Sequence, residues 1–203
     1  MKKLLFSFVV LGITSVLAIG ATTAYFSDTE TSSANTFTAG TLDLKVNGGD
    51  TNVSYTFSNL HPGYQPNMSY RLKNDGTING YLNIKDIIVR SSENGCTEPE
   101  SSSGDSTCGS GVNEGELSTV LNLRLMHDAN CNGWREAGEQ ILFEGYASNI
   151  ASTYLPDVPV LAGQETCVNV LINWWNTPND NLAQGDDMTL DMAFELSQVK
   201  MNP

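Results

Sequence analysis

Apolar residues fall at every second position along most of this chain. Leu42, Leu44 and Val46 do so in TLDLKV. So do Val53, Tyr55 and Phe57, then Leu121, Leu123 and Leu125, and finally Met188, Leu190, Met192, Phe194 and Leu196. A strand sends successive side chains to opposite faces, so each run buries one face and wets the other. Eight strands are predicted: 41–46, 53–57, 68–73, 81–90, 117–126, 140–143, 166–175 and 187–199. No convincing helix is expected between them. Each half-apolar sheet must bury its face against another, which predicts an all-β sandwich of two sheets. The long crossovers favour a jelly roll, and the Cys…Trp…Cys spacing of an immunoglobulin domain is missing.

Turn chemistry separates the runs. Asn47-Gly48-Gly49-Asp50, His61-Pro62-Gly63 and Asn74-Asp75-Gly76 each combine a locally bonding side chain or proline with a glycine. Residues 91–115 are rich in Ser, Gly, Glu and Asn and read as a surface excursion. Residues 146–159, interrupted by Pro156 and Pro159, read as irregular, and residues 176–185 read as a polar loop. Asn52 and Asn67 each begin an N-x-Ser glycosylation pattern.

The N-terminus follows different rules. Lys2 and Lys3 precede a mostly apolar run from Leu4 to Ile19, and Ala21-Thr22-Thr23-Ala24 supplies small residues. That is the grammar of a signal peptide, residues 1–24, cut after Ala24. The run is short for a spanning helix, which needs about 20 apolar residues, so membrane contact is expected only during export. Loss of Lys2 and Lys3 takes the net charge from −13 to −15. Such a surface repels nucleic acid and anionic lipid and attracts divalent cations.

Cys96, Cys108, Cys131 and Cys167 lie beyond the signal. An exported chain meets an oxidising medium, and an even count points to two disulfides. Of the three possible pairings, Cys96–Cys108 with Cys131–Cys167 is the expectation, because the first would close the Ser/Gly-rich excursion. A zinc site is the competing reading. It is weakened by the lack of a CxxC pair and by having only His61 and His127 to help.

HDANCNGWREAGEQI is the sharpest chemical motif. With Asp128 at position 1, Asn130, Asn132, Trp134, Glu136 and Glu139 occupy positions 3, 5, 7, 9 and 12, with Gly133 at 6. Calcium takes six to eight hard oxygens, and alternate side chains of a wrapping loop supply them. Trp134 would offer its carbonyl and Glu139 two oxygens. Strands rather than helices flank the loop, so it is similar to calcium loops of bacterial surface-protein repeats. With three carboxylates it should bind Ca2+ weakly and stiffen the fold. A solvated polar turn is the alternative.

Several phrases carry a family resemblance: TTA followed by YFSD, then ANTFTAGTLDL, SNLHPGYQ, RLKNDGTINGYLNI and the closing MAFELSQV. Together they resemble the TasA/camelysin family of secreted matrix-fibre proteins. The resemblance covers the N-terminal half and the last strand. It implies a jelly roll cut by a dedicated signal peptidase. It also implies a freed N-terminal segment that enters a neighbour's sheet, giving biofilm-matrix filaments or bundling pili. On this chain the donor would be residues 25–37, with Tyr25, Phe26 and Phe37 as pegs, ahead of a domain at 38–203. The physics agrees. The segment buries too little to fold alone, whereas a sheet edge presents unpaired N–H and C=O groups that an extended strand satisfies. The expected partner is therefore another copy of the chain, forming an open head-to-tail polymer.

Two other function classes were weighed. Camelysin carries a metalloprotease description, but this chain has no HExxH, and no nucleophile motif stands out. No enzyme activity is expected. A carbohydrate-binding module, with matrix polysaccharide as ligand, would suit a calcium-bearing jelly roll. Of Trp174 and Trp175, one must face the core and the other could stack on sugar or lie at a subunit contact.

Overall fold

A computed structural model describes residues 39–49, 55–57, 60–109 and 111–201. The signal peptide (1–24), the donor strand (25–37, with Tyr25, Phe26 and Phe37), Asn52 and Val53 lie outside the described residues.

Nine strands form two antiparallel sheets. They are β1 (Leu44–Val46), β2 (Tyr55–Phe57), β3 (Asn67–Asn74), β4 (Gly80–Ser92) and β5 (Leu121–Asp128), then β6 (Ile141–Tyr146), β7 (Pro159–Val160), β8 (Glu165–Trp174) and β9 (Asp187–Ser197). One sheet runs β1-β3-β8-β5-β6 and the other β2-β9-β4-β7.

The pairing is nested. Strand β2 pairs with β9, β3 with β8, β4 with β7 and β5 with β6, all antiparallel. A long hairpin rolled across two sheets has this pattern, so the sandwich is a jelly roll with β1 added at one edge.

The predicted alternation places the core. Leu121, Leu123 and Leu125 are fully buried opposite Trp174, Ile172 and Val170 of β8. From the other sheet, Met188, Leu190 and Met192 meet them. The Tyr70 and Phe194 rings, 5.0 Å apart between centroids, pack the sheets together. A bulge between Lys85 and Ile88 breaks β4, with Asp86 at φ 50°.

Two expectations are corrected. Residues 117–120 do not begin a strand. Leu117–Val120 is one helical turn, α2, whose Leu117 and Val120 are both buried. A single turn suits residues three apart that share a face. The excursion 91–115 holds a second helix, α1 (Glu98–Ser103), and is not merely surface. Thr97 caps it, Glu100 accepts a hydrogen bond from the Thr97 amide, and Gly104 ends it at φ 91°. Glu93 and Glu100 are buried within this excursion.

Candidate metal centre and the surface around it

The loop from Asp128 to Glu139 leaves β5 on the outer face of the five-stranded sheet. Asp128 stands opposite Cys167 of β8, and Cys167 is bonded to Cys131 in the loop. Cys96 is bonded to Cys108. The bridge to β8 holds the loop against the sheet while the backbone turns sharply, with Cys131 at φ 59° and Gly133 at φ 82°. Both values lie in the left-handed region, which glycine enters freely and cysteine at a cost.

The expected ligands are bonded to the loop's own amides, and among the described residues Asp128, Glu136 and Glu139 are not one of the groups of three potential ligands that converge. Asp128 is buried and accepts hydrogen bonds from the amides of Asn132 (3.3 Å) and Gly133 (2.7 Å). Glu139, also buried, spans the loop, accepting from the Ala129 amide at 2.9 Å and the Glu136 amide at 2.8 Å. Glu136 accepts from the side-chain amides of Asn130 (3.0 Å) and Asn132 (2.8 Å). The Trp134 amide donates to the Asn132 side chain at 2.7 Å, while its indole is 77 % exposed.

Three carboxylates and two amide oxygens thus lie on one loop. Among the described residues, none of these carboxylates forms an ion pair. The donor set is all hard oxygen, which suits calcium. The Asn130 and Asn132 amides now point NH2 groups at Glu136, and half a turn about each terminal bond would present oxygen instead.

Electrostatics favour the anion at Asp128. Burial opposes its ionisation, but hydrogen bonds from Gly133, Asn169, Asn132 and Cys131 outweigh that and hold its pKa below the usual value. His127 is shifted down, because burial disfavours its charged form more than Glu139 and Asp128 favour it. Its Nε2 lies 2.7 Å from the Thr166 hydroxyl.

Asn169 is a ligand-side residue that the sequence did not announce. Its side-chain amide donates to Asp128 at 2.7 Å from a neighbouring strand. The only available signal was a polar residue inside the apolar run TCVNVLINW. Asn169 also lines a cleft of about 450 Å³ beside the loop, with Asn67, Arg124, Asn132, Trp134 and Arg135.

Among the described residues, no group of three converging potential ligands includes either histidine. His61 is exposed in its turn, its Nδ1 3.1 Å from the carbonyl of Pro62. A cleft of about 570 Å³ brings His61 near Asp180 and Trp174. Asp180, however, is committed to the Trp174 indole (2.8 Å) and the Thr177 hydroxyl (2.7 Å). These residues do not fit a catalytic zinc, which needs three ligands and an open position. Trp174 is the core-facing member of the tryptophan pair and Trp175 the exposed one.

No curated protein matches this chain. The sequence pattern of a family described as camelysin metallo-endopeptidase matches residues 1–113, which takes in β1 to β4 and stops before the Asp128–Glu139 loop. The description names a metallopeptidase and so leans against a purely structural role. The match is to the family alone, without catalytic evidence, and it supports an extracellular-type protein. With the match extending over more than half of the sequence, the chain belongs to the camelysin metallo-endopeptidase family.

Proposed function

We propose that this protein is a non-enzymatic subunit of an extracellular filament, joined head to tail by strand donation. One observation carries the reading. Among the described residues, β6 pairs only with β5, and it borders a groove of about 310 Å³. Ile141 and Leu142 line one side of that groove, and Tyr154, Leu155 and Pro156 line the other. Its walls, part apolar and part polar with Gln140 among them, and its unpaired strand edge suit an extended segment with aromatic pegs between small polar residues. The domain's own first strand, β1, is the opposite edge of the same sheet. A segment preceding β1 that fills the next copy's β6 groove gives a contact that does not close. Tyr25, Phe26 and Phe37 are the pegs, each contributing about 1.5–3 kcal/mol when fully buried. The Asp128–Glu139 loop binds Ca2+ and stiffens the subunit.

Deletion of residues 25–35 behind an intact signal tests the donor. Electron microscopy should show filaments from the wild type and only folded monomers from the deletion. Filaments of unchanged abundance from the deletion would refute strand donation.

One observation favours a second reading. Trp134 is exposed and stands at the mouth of an amide- and arginine-lined cleft, which suits stacking on a sugar. Retention of wild-type protein, but not Trp134→Ala, on an immobilised matrix polysaccharide would place carbohydrate binding there.

A further inference from the structure

Glu93 leaves β4, Glu100 sits in α1, and Asp186 directly precedes β9. The fold brings one carboxylate oxygen from each within 4.8 Å of the others. Glu93 is 2 % exposed and Glu100 is fully buried. Glu93 Oε2, Glu100 Oε1 and Asp186 Oδ1 are buried and have no hydrogen-bond partner. The other oxygens of two of these groups are used: Glu100 Oε2 accepts from the Thr97 amide, and Asp186 Oδ2 from the amides of Glu116 (2.6 Å) and Leu117 (3.2 Å). Those bonds fix the two carboxylates, leaving one bare oxygen on each. Glu116 Oε2, also buried and unpartnered, is nearby, since Glu93 and Glu116 share a second acidic group with Asp105.

No ion pair among the described residues involves any of these acids. Buried carboxylates without a cation face both desolvation and mutual repulsion. Burial pushes Asp186 up to about 7, with the charges of Glu93 and Glu116 adding to it. A proton on Asp186 would remove one charge and still leave Glu93 and Glu100 with bare oxygens. Two oxygens on opposite sides of a calcium ion, each at about 2.4 Å, are about 4.8 Å apart, so three oxygens within that separation of one another can share a single ion's shell. The backbone makes room for the cluster at Gly115, where a Cβ would stand 2.9 Å from the Asp186 carboxylate.

We infer that Glu93, Glu100 and Asp186 form a second divalent-cation site, of the calcium class, separate from the 128–139 loop. The ion ties α1, which no strand pairing holds, to the start of β9, beside the point where Ser92 and Asp187 already pair.

Two variants of the full mature chain test this, with bound ions counted by native mass spectrometry after addition of Ca2+ alone. Glu139→Gln disables the loop and should still carry one Ca2+ and melt higher in Ca2+ than in chelator. The double amide Glu93→Gln, Asp186→Asn should carry one ion fewer than wild type. In chelator it should melt above wild type, because the amides remove the crowded charge. A double variant with the wild-type ion count, or a Glu139→Gln protein with no ion, overturns the site. Should the double variant fail to fold, the Glu139→Gln count decides alone. Failure of the loop site reads differently: wild type and Glu139→Gln would then carry the same single ion.

Discussion

Asp128 and Cys167 stand directly opposite each other across β5 and β8, so the bridge from Cys167 to Cys131 returns the chain to the strand pair it has just left. The first expected ligand and the clamp are therefore held by one rung of the sheet. Replacing Cys131 and Cys167 by Ser should cost about 2–4 kcal/mol and weaken Ca2+ binding as well. The Cys96/Cys108 pair closes a shorter loop, of separation 12 rather than 36, and its loss should cost less and leave the loop's affinity unchanged. Urea unfolding with calcium titration of both variants checks this. Equal calcium affinity in the two would break the coupling of clamp and ligand.

Calcium should raise the melting temperature of the wild type, and part of that rise should vanish in Glu139→Gln. Glu139 closes the loop by accepting from both Ala129 and Glu136. The amide keeps the shape but offers only one oxygen, so the variant also loses one of those two bonds and should melt somewhat below wild type in chelator. Melting curves with and without calcium measure both effects. An undiminished calcium shift in the variant would show that the loop is only a polar turn.

Asp180 predicts a pH effect. Burial raises its pKa, but hydrogen bonds from the Thr177 hydroxyl, the Trp174 indole and the Thr177 amide prevail and leave it lowered. A lowered folded value means that the carboxylate contributes stability above its ordinary pKa and loses it as pH falls through the folded value. Asp180→Asn should therefore lose less stability than wild type between pH 5 and about pH 2. At neutral pH, Asp180→Ala strands the indole N–H and should cost about 1–3 kcal/mol. Parallel acid-unfolding curves for Asp180→Asn and wild type would contradict the assignment.

At the proposed acceptor groove, Ile141→Lys should separate folding from assembly. Ile141 is half-buried on an edge strand and lines the groove. A charge there should change monomer stability by about 0.5 kcal/mol or less and abolish filaments, because a lysine on an edge opposes strand addition. Normal filaments from this variant would move the acceptor elsewhere on the sandwich.

The sandwich was legible because alternation is local. Leu121, Leu123 and Leu125, or Met188 to Leu196, declare a buried face without reference to any other residue. The short helices were not read, although Thr97 and Glu100 spell a capping box in the sequence. A polar stretch around them made the excursion look like bare surface. The loop's expected ligands are a matter of spacing alone, since they follow one another along the chain. Asn169 could not be read that way, because its approach to Asp128 depends on β8 lying beside β5. The acids at 93, 100 and 186 were invisible for the same reason: their meeting is set by topology, and each alone resembles a solvated charge.

The nesting of the strands has a temporal consequence. Tyr55 finds its partner at Leu190, close to the end of the chain, and β3 waits for β8 in the same way. A polypeptide made from its first residue onward can close only β1 with β3 and the innermost hairpin, β5 with β6, before the last quarter exists. Such long-range closure makes folding late and slow. Until then β2, β3 and β4 wait with their long-range partners unmade.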